Sequence, residues 1–181
     1  MSKKLRTALF LGRFQPLHRG HLSAIVDLLS EFDLVIVAIG SSEKSRTLEN
    51  PFTVGERHAM AKAALMDEGF KYETQFKVVP VPDIDDDDKY PKYVADLCPH
   101  FDVLVTGNES VKELFQKKFK NKEVREPKRR YAITATRVRE AIVAGEDLEK
   151  YLHPAVVAFL QKIGAARKII EIAEGKVEVK V

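Results

Sequence analysis

The residues of greatest chemical promise lie in one short stretch, Gly12 to His21, which reads GRFQPLHRGH. His18 and His21 are three apart, a spacing that brings two imidazoles to the same side of a helix start. There the first backbone N–H groups have no partner within the helix and the dipole end is positive, so the pair and the helix end together suit a phosphate. Arg13 offers a planar fork of donors that holds a phosphate bidentately from the other side. Gly12 permits close backbone approach, Pro16 stiffens the turn, and Gly20 keeps a Cβ away from whatever lies over the helix start. A single histidine at such a place is most often a cap or a surface residue; two at this spacing, beside an arginine and two glycines, make a phosphate floor the better reading. Neither G-x-G-x-x-G nor G-x-x-x-x-G-K-[ST] occurs in the chain, which sets aside the dinucleotide fingerprint and the P-loop. H-E-x-x-H is absent as well, and the histidine pair has no third ligand nearby, so no metal-ligating residue is assigned.

These residues must be positioned by something, and strand and helix signals alternate along the chain as far as about residue 144. That is the pattern of a parallel sheet with crossover helices. Strands are expected at Thr7 to Leu11, Leu34 to Ile39, Phe76 to Val81 and Phe101 to Thr106. Helices are expected from about His21 to Phe32, from the capping box Thr53-x-x-Glu56 to Gly69, around Val111, Leu114 and Phe115, and from Arg137 to Ala144 with Gly145 as the stop. Glu56 reads as a helix cap and Arg57 as its surface neighbour or an ion-pair partner. Pro154 suits a first helical position, and Ala155, Val156, Phe159, Leu160 and Ile163 continue a helical stripe. The expectation is a single domain over residues 1–181, a Rossmann-like, doubly wound parallel sheet with helices on both faces, and a C-terminal helical segment over about 146–173 packed on it. In an open parallel sheet, ligands bind outside the carboxyl ends of the strands near the switch in strand order. The polar motifs GRFQPLHRGH, GSSEKSRTLENP, the acidic run Asp83 and Asp85 to Asp88, and Thr106-Gly107-Asn108 all fall at those ends.

Composition narrows the class without choosing a substrate. At 181 residues, with 45% hydrophobic and 31% charged residues, the chain is a globular protein able to bury roughly two-thirds of its unfolded surface. The longest apolar run, Leu34 to Ile39, is far too short for a membrane span, and Lys3, Lys4 and Arg6 precede no apolar signal region, so the expected compartment is the cytoplasm. Cys98 is the single cysteine, a small core residue rather than half of a disulfide. A net charge of +3 says little about partners. The basic stretch Lys117 to Arg130 lacks an aromatic platform beyond Phe115, Phe119 and Tyr131 and reads as solvated surface, so no nucleic acid is expected.

A strand, then G-R-F-Q-P-x-H-x-G-H, then a helix resembles the nucleotidyltransferase superfamily, whose H-x-G-H motif binds a nucleoside triphosphate; here it is His18-Arg19-Gly20-His21. A second motif of that superfamily, Ser/Thr-x-Thr-x-x-Arg at a late helix, is matched by Thr134 to Arg139. Within it, the full G-R-F-Q-P form, Glu49 to Arg57 and Thr106-Gly107-Asn108 are similar to the archaeal-type nicotinamide-nucleotide adenylyltransferases, over Leu9 to about Leu160. The resemblance implies that Arg13, His18, His21 and Arg139 contact phosphates. Gly12, Phe14, Gly20, Gly107, Asn108, Thr134 and Thr136 would border ATP, whereas Ser41, Ser42, Lys44, Asn50 and Tyr90 would border the mononucleotide. Tyr90 would stand against the nicotinamide ring, with Tyr93 as the other candidate. It also implies ATP and nicotinamide mononucleotide as substrates, NAD as product, Mg²⁺ arriving with ATP, and a homo-oligomer. The competing readings are another H-x-G-H enzyme, such as one acting on phosphopantetheine, and a nucleotide-binding protein without catalysis.

Overall fold

The computed structural model describes residues 5–176; Lys3, Lys4 and residues 177–181 of the expected domain lie outside them. Thr7–Gly12 (β1) and Leu34–Ile39 (β2) are almost wholly apolar and buried on both sides, as strands in the middle of a parallel sheet must be. Phe76–Pro80 (β3) pairs with β2, Val103–Thr106 (β4) pairs with β1, and Glu123–Arg125 (β5) pairs with β4. All pairings are parallel and the order is β3-β2-β1-β4-β5. The chain therefore winds outward from β1 to β3, returns across the sheet and continues on the other side of β1. The switch in strand order lies between β1 and β4, where crossovers diverge and leave a crevice.

The two-residue period of the strands divides the core. Ala8, Phe10, Val35, Val37, Ile39 and Val78 face Arg19–Glu31 (α1) and Val54–Asp67 (α2). On that side also lie Ala135–Ala144 (α5), Pro154–Lys162 (α6) and Ala165–Ala173 (α7). Leu9, Leu11, Ile36, Ala38 and Leu104 face Val94 of Tyr90–Leu97 (α3) and Phe115 of Glu109–Lys118 (α4). The Rossmann-like, doubly wound parallel sheet with helices on both faces is thus the architecture, and the C-terminal helices share a core with β1 to β3. Leu152, Val156, Leu160 and Ile169 belong to the same buried cluster as Met60 and Phe76. Among the described residues no helix is long and apolar enough to cross a membrane.

The local signals act as their chemistry requires. Thr53 caps α2, accepting from the Glu56 N–H at 3.2 Å, while Glu56 Oε2 accepts from the Thr53 N–H at 2.9 Å. Gly145 ends α5 in the left-handed region at φ 66°, and Pro154 opens α6 behind an N-cap His153. Helix α1 begins at Arg19 instead of about His21, because His18 is its N-cap. Helix α3 was not expected: its segment reads as the tail of an acidic loop, and only Pro91 and Val94 are buried. Strand β5 lies inside the basic stretch; it is a three-residue edge strand with no fully buried side chain, so it carries no period-2 apolar signal.

Candidate functional site

A cleft of about 830 Å³ opens at the carboxyl ends of β1 and β4. Its floor is Gly12, Arg13 and His21. Ser41 and Lys44 come from the loop after β2; Asp83, Asp85, Asp87 and Tyr90 follow β3; Thr106, Gly107 and Asn108 follow β4. Of the expected residues, Gly12, Arg13, His21, Ser41, Lys44, Tyr90, Gly107 and Asn108 are brought together on its walls. Tyr93, the other candidate for the ring position, is not on them. Helices α1 and α4 both start here. Asn108 caps α4 by accepting from the Val111 N–H at 3.2 Å, so two positive helix ends frame one cavity.

The histidines form one unit. Their rings stack with centroids 3.6 Å apart. His18 Nδ1 lies 3.4 Å from the His21 N–H and His21 Nδ1 lies 3.4 Å from the His18 N–H, a reciprocal cap. Since each Nδ1 accepts, each neutral ring carries its hydrogen on Nε2, and both rings are donors. Burial pushes His18 down to about 4, and burial together with the charge of His18 holds His21 well below its ordinary value. The pair is therefore neutral at pH 7. Gly20 serves this arrangement directly: a Cβ there would stand 3.1 Å from the His18 ring, so its glycine makes room for His18. Phe14, expected beside ATP, is 1% exposed. It sits beneath the floor, edge-on to His21 at 5.0 Å, and supports the imidazole instead of lining the cleft.

Arg139 is half-buried and, like His18, is not among the residues that line the cleft. Its Nη1 donates to the carbonyl of Gln15 at 3.0 Å and its Nη2 to Thr136 Oγ1 at 3.2 Å. Burial and the like charge of Arg13 lower its pKa, so two cations converge with phosphate as the natural counter-ion. Thr136 thus holds Arg139, and Thr134 is the N-cap of α5, accepting from the Arg137 N–H. Neither threonine lies on the cleft wall. Gln15 ties the first loop to the segment before α2 by two backbone bonds, donating to the Phe52 carbonyl at 2.9 Å and accepting from the Phe52 N–H at 3.0 Å.

On the opposite wall, Asp83 ties its own loop to three residues of the loop after β2. Its carboxylate accepts from Lys44 Nζ at 2.7 Å and from Ser41 Oγ at 3.2 Å, and its backbone N–H donates to Glu43 at 3.0 Å. The acidic run, expected at the carboxyl end of the third strand, is thus partly a wall of the cleft. Tyr90 lies beside it; burial and the Asp83 charge push the phenol up to about 12, so it stays neutral. Ser42 and Asn50 are buried, 8% and 5% exposed, and do not line the cleft; among the described residues Asn50 Oδ1 has no hydrogen-bond partner.

Arg57 overturns its expected surface position. It is fully buried because it falls on the apolar stripe of α2 with Met60, Ala61, Ala64 and Leu65. All its hydrogen bonds end on backbone carbonyls: Thr53, Arg13, Gly40, Ser41, Ser42 and Lys44, at 2.9 to 3.4 Å. Burial lowers its pKa to about 10, which leaves it charged. The i, i+3, i+4 spacing with Met60 and Ala61 was the signal available in the sequence.

Residues 9–147 match the cytidylyltransferase-like family. The nicotinamide-nucleotide adenylyltransferase of Pyrococcus abyssi (strain GE5 / Orsay) is 38% identical over 165 residues, covering 91% of this chain and 88% of the relative. That of Methanococcus aeolicus is 39% identical over 164 residues, covering 90% and 92%. Among solved structures, a bifunctional NMN adenylyltransferase/ADP ribose pyrophosphatase from Francisella tularensis superposes with a TM-score of 0.79 at 23% identity, over 96% of this chain and 54% of that one. This chain therefore spans about half of the bifunctional protein, and the likeness is one of fold. The same Francisella enzyme has been solved with AMP and a manganese ion, with a TM-score of 0.77, 24% identity and coverage of 96% and 53%. With its His18-to-His21 motif at the start of α1 and this sequence kinship, the chain belongs to the cytidylyltransferase-like family, among the archaeal-type nicotinamide-nucleotide adenylyltransferases.

Proposed function

We propose that the protein transfers the adenylyl group of ATP to nicotinamide mononucleotide, releasing pyrophosphate and forming NAD. The mononucleotide phosphate oxygen attacks the α-phosphorus in line; a new P–O bond forms as the bond to the β-phosphate oxygen breaks, and that electron pair leaves with pyrophosphate. The observation that carries this reading is the neutral, Nε2–H-bearing histidine pair at the start of α1, of which His21 lines the cleft beside Arg13 while His18 stacks behind it. No side chain need act as nucleophile or base, because the attacking phosphate is already an anion. Such transfers depend on positioning and on donors aimed at developing charge, each contributing about 2–4 kcal/mol. His18, His21, Arg13 and Arg139 are those donors.

Among the described residues no three His, Cys, Asp or Glu side chains gather to hold a metal. Mg²⁺ would enter on the phosphates of ATP as part of the substrate, and Asp85 and Asp87 on the cleft wall would accept from the waters it keeps. The reading extends to one nucleotidyltransferase domain, supported by the shared core of the C-terminal helices, and to a homo-oligomer working in the cytoplasm. Mixing the protein with Mg-ATP and, separately, nicotinamide mononucleotide, its nicotinate counterpart or phosphopantetheine, and measuring pyrophosphate, tests the assignment. NAD and pyrophosphate formed in equal amounts are expected. ATP binding without pyrophosphate release, or release only with phosphopantetheine, overturns it.

A further inference from the structure

We infer that Arg57 is a positioning residue that locks the turn after β1 to the turn after β2 and so sets where Arg13, His21 and Ser41 stand in the cleft. The kinetic side of this inference rests on the adenylyl-transfer reading; the structural side does not. Met60, Ala61, Ala64 and Leu65 show what the Arg57 position on α2 would ordinarily hold, and a buried cation is costly unless its donors are met. Here they are met by main-chain carbonyls of the two loops and of the α2 cap, and among the described residues no carboxylate bonds to the guanidinium.

The placement of those carbonyls points to the role. Nη1 bridges the loops by donating to the Arg13 carbonyl at 3.0 Å and the Gly40 carbonyl at 2.9 Å. The residues immediately after these two are Phe14 at φ 50° and Ser41 at φ 46°, both non-glycine residues in the left-handed region. Strain of that kind persists only where the surroundings over-determine the backbone, and it gathers at functional sites. Nη2 completes the restraint on the second turn through the carbonyls of Ser41, Ser42 and Lys44. Phe14 then backs His21, and Ser41 with Lys44 engages Asp83. One side chain that touches no substrate thereby joins the phosphate half of the cleft to its opposite wall.

Arg57→Lys keeps a charge but has one nitrogen where two must span the carbonyls; Arg57→Met fills the stripe and bonds to none. Both are expected to fold, by far-UV circular dichroism and cooperative melting. Per folded molecule kcat should fall roughly 100-fold, since misplacement by about 1 Å suffices for that, while KM for each substrate changes less than about fivefold. Millimolar guanidinium should restore part of the activity of Arg57→Ala, and methylammonium should not. Independently of activity, amide exchange in Arg57→Lys should lose protection together over residues 12–15 and 40–44 while β4 keeps its own. Unchanged kcat per folded molecule, loss of protection spread evenly over the sheet, or failure of all three variants to fold would each overturn the inference. A wild-type protein that makes no NAD would instead remove the functional reading, leaving the exchange result to decide the clamp.

Discussion

Burial disfavours a charge on either imidazole, and a charge on His18 would further oppose one on His21, whose ring stacks on it at 3.6 Å. Both folded values therefore lie below the ordinary 6.5, His18 at about 4. As pH falls below about 6.5, the unfolded chain gains a proton that the folded chain refuses. Stability is full above that value and declines as pH drops toward 4, by up to about 3 kcal/mol for His18. His18→Asn retains an N-cap acceptor, so its melting temperature should fall less steeply between pH 6.5 and 4.5; parallel slopes would reject the cause. For catalysis, donors that are already neutral predict that kcat/KM for ATP does not decline from about pH 7 to 8.5. A decline with a midpoint near 7 would mean that imidazolium is required. His21→Ala should reduce turnover by orders of magnitude with the fold intact. Tyr90→Ala should raise KM for the mononucleotide more than for ATP, because Tyr90 stands by the Asp83 wall, away from the helix start. Near-normal kinetics in both variants would refute the site.

At the scale of elements, α2 joins the cleft to the rest of the molecule. Its capping box has a second function, since Glu56 also pairs with Lys168 of α7. Burial opposes the charge on Glu56, yet Lys168 and the Thr53 N–H keep its carboxyl below the usual range. Thr53→Ala removes the side-chain half of the cap and should cost about 1 kcal/mol, a drop of roughly 2–4 °C in melting temperature for a chain of this size. The Thr53 carbonyl still meets Arg57 in that variant, so kcat per folded molecule should hold; a fall in kcat would show that the cap and the loops are coupled. What was legible here followed from how local each signal is. A capping box, a glycine stop and an apolar strand are written in consecutive residues, and β2 lies at its expected bounds. Strand β5 was hidden because an exposed edge strand needs no apolar pattern, and α3 because an acidic loop runs straight into it. Arg57 was misread because charge in a sequence suggests solvent, and carbonyls from distant turns leave no trace in its neighbours. The ring of Phe14 was misplaced for a similar reason: the motif names the residue, but only packing decides which side of Gly12 the ring takes.

The whole molecule places a polar cleft over a core that reaches well beyond it, and the C-terminal helices test how unified that core is. Leu160 of α6 is 1% exposed and belongs to the cluster that contains Met60 of α2 and Phe76 of β3. If α6 and α7 were a separable tail, damage there would melt the tail first and leave the sheet standing. A shared core means that the loss is charged to every element at once. Leu160→Ala removes buried methyl groups from a close-packed site and should cost roughly 2–5 kcal/mol. The prediction is a single unfolding transition at lower denaturant concentration with an unchanged slope, coincident when followed by far-UV and by near-UV circular dichroism. Because Leu160 does not line the cleft, kcat per folded molecule should stay near wild type while the folded fraction falls. Two separated transitions would instead divide the C-terminal helices from the nucleotide-binding sheet, and activity that survives the first of them would place catalysis wholly on the β1 to α5 portion.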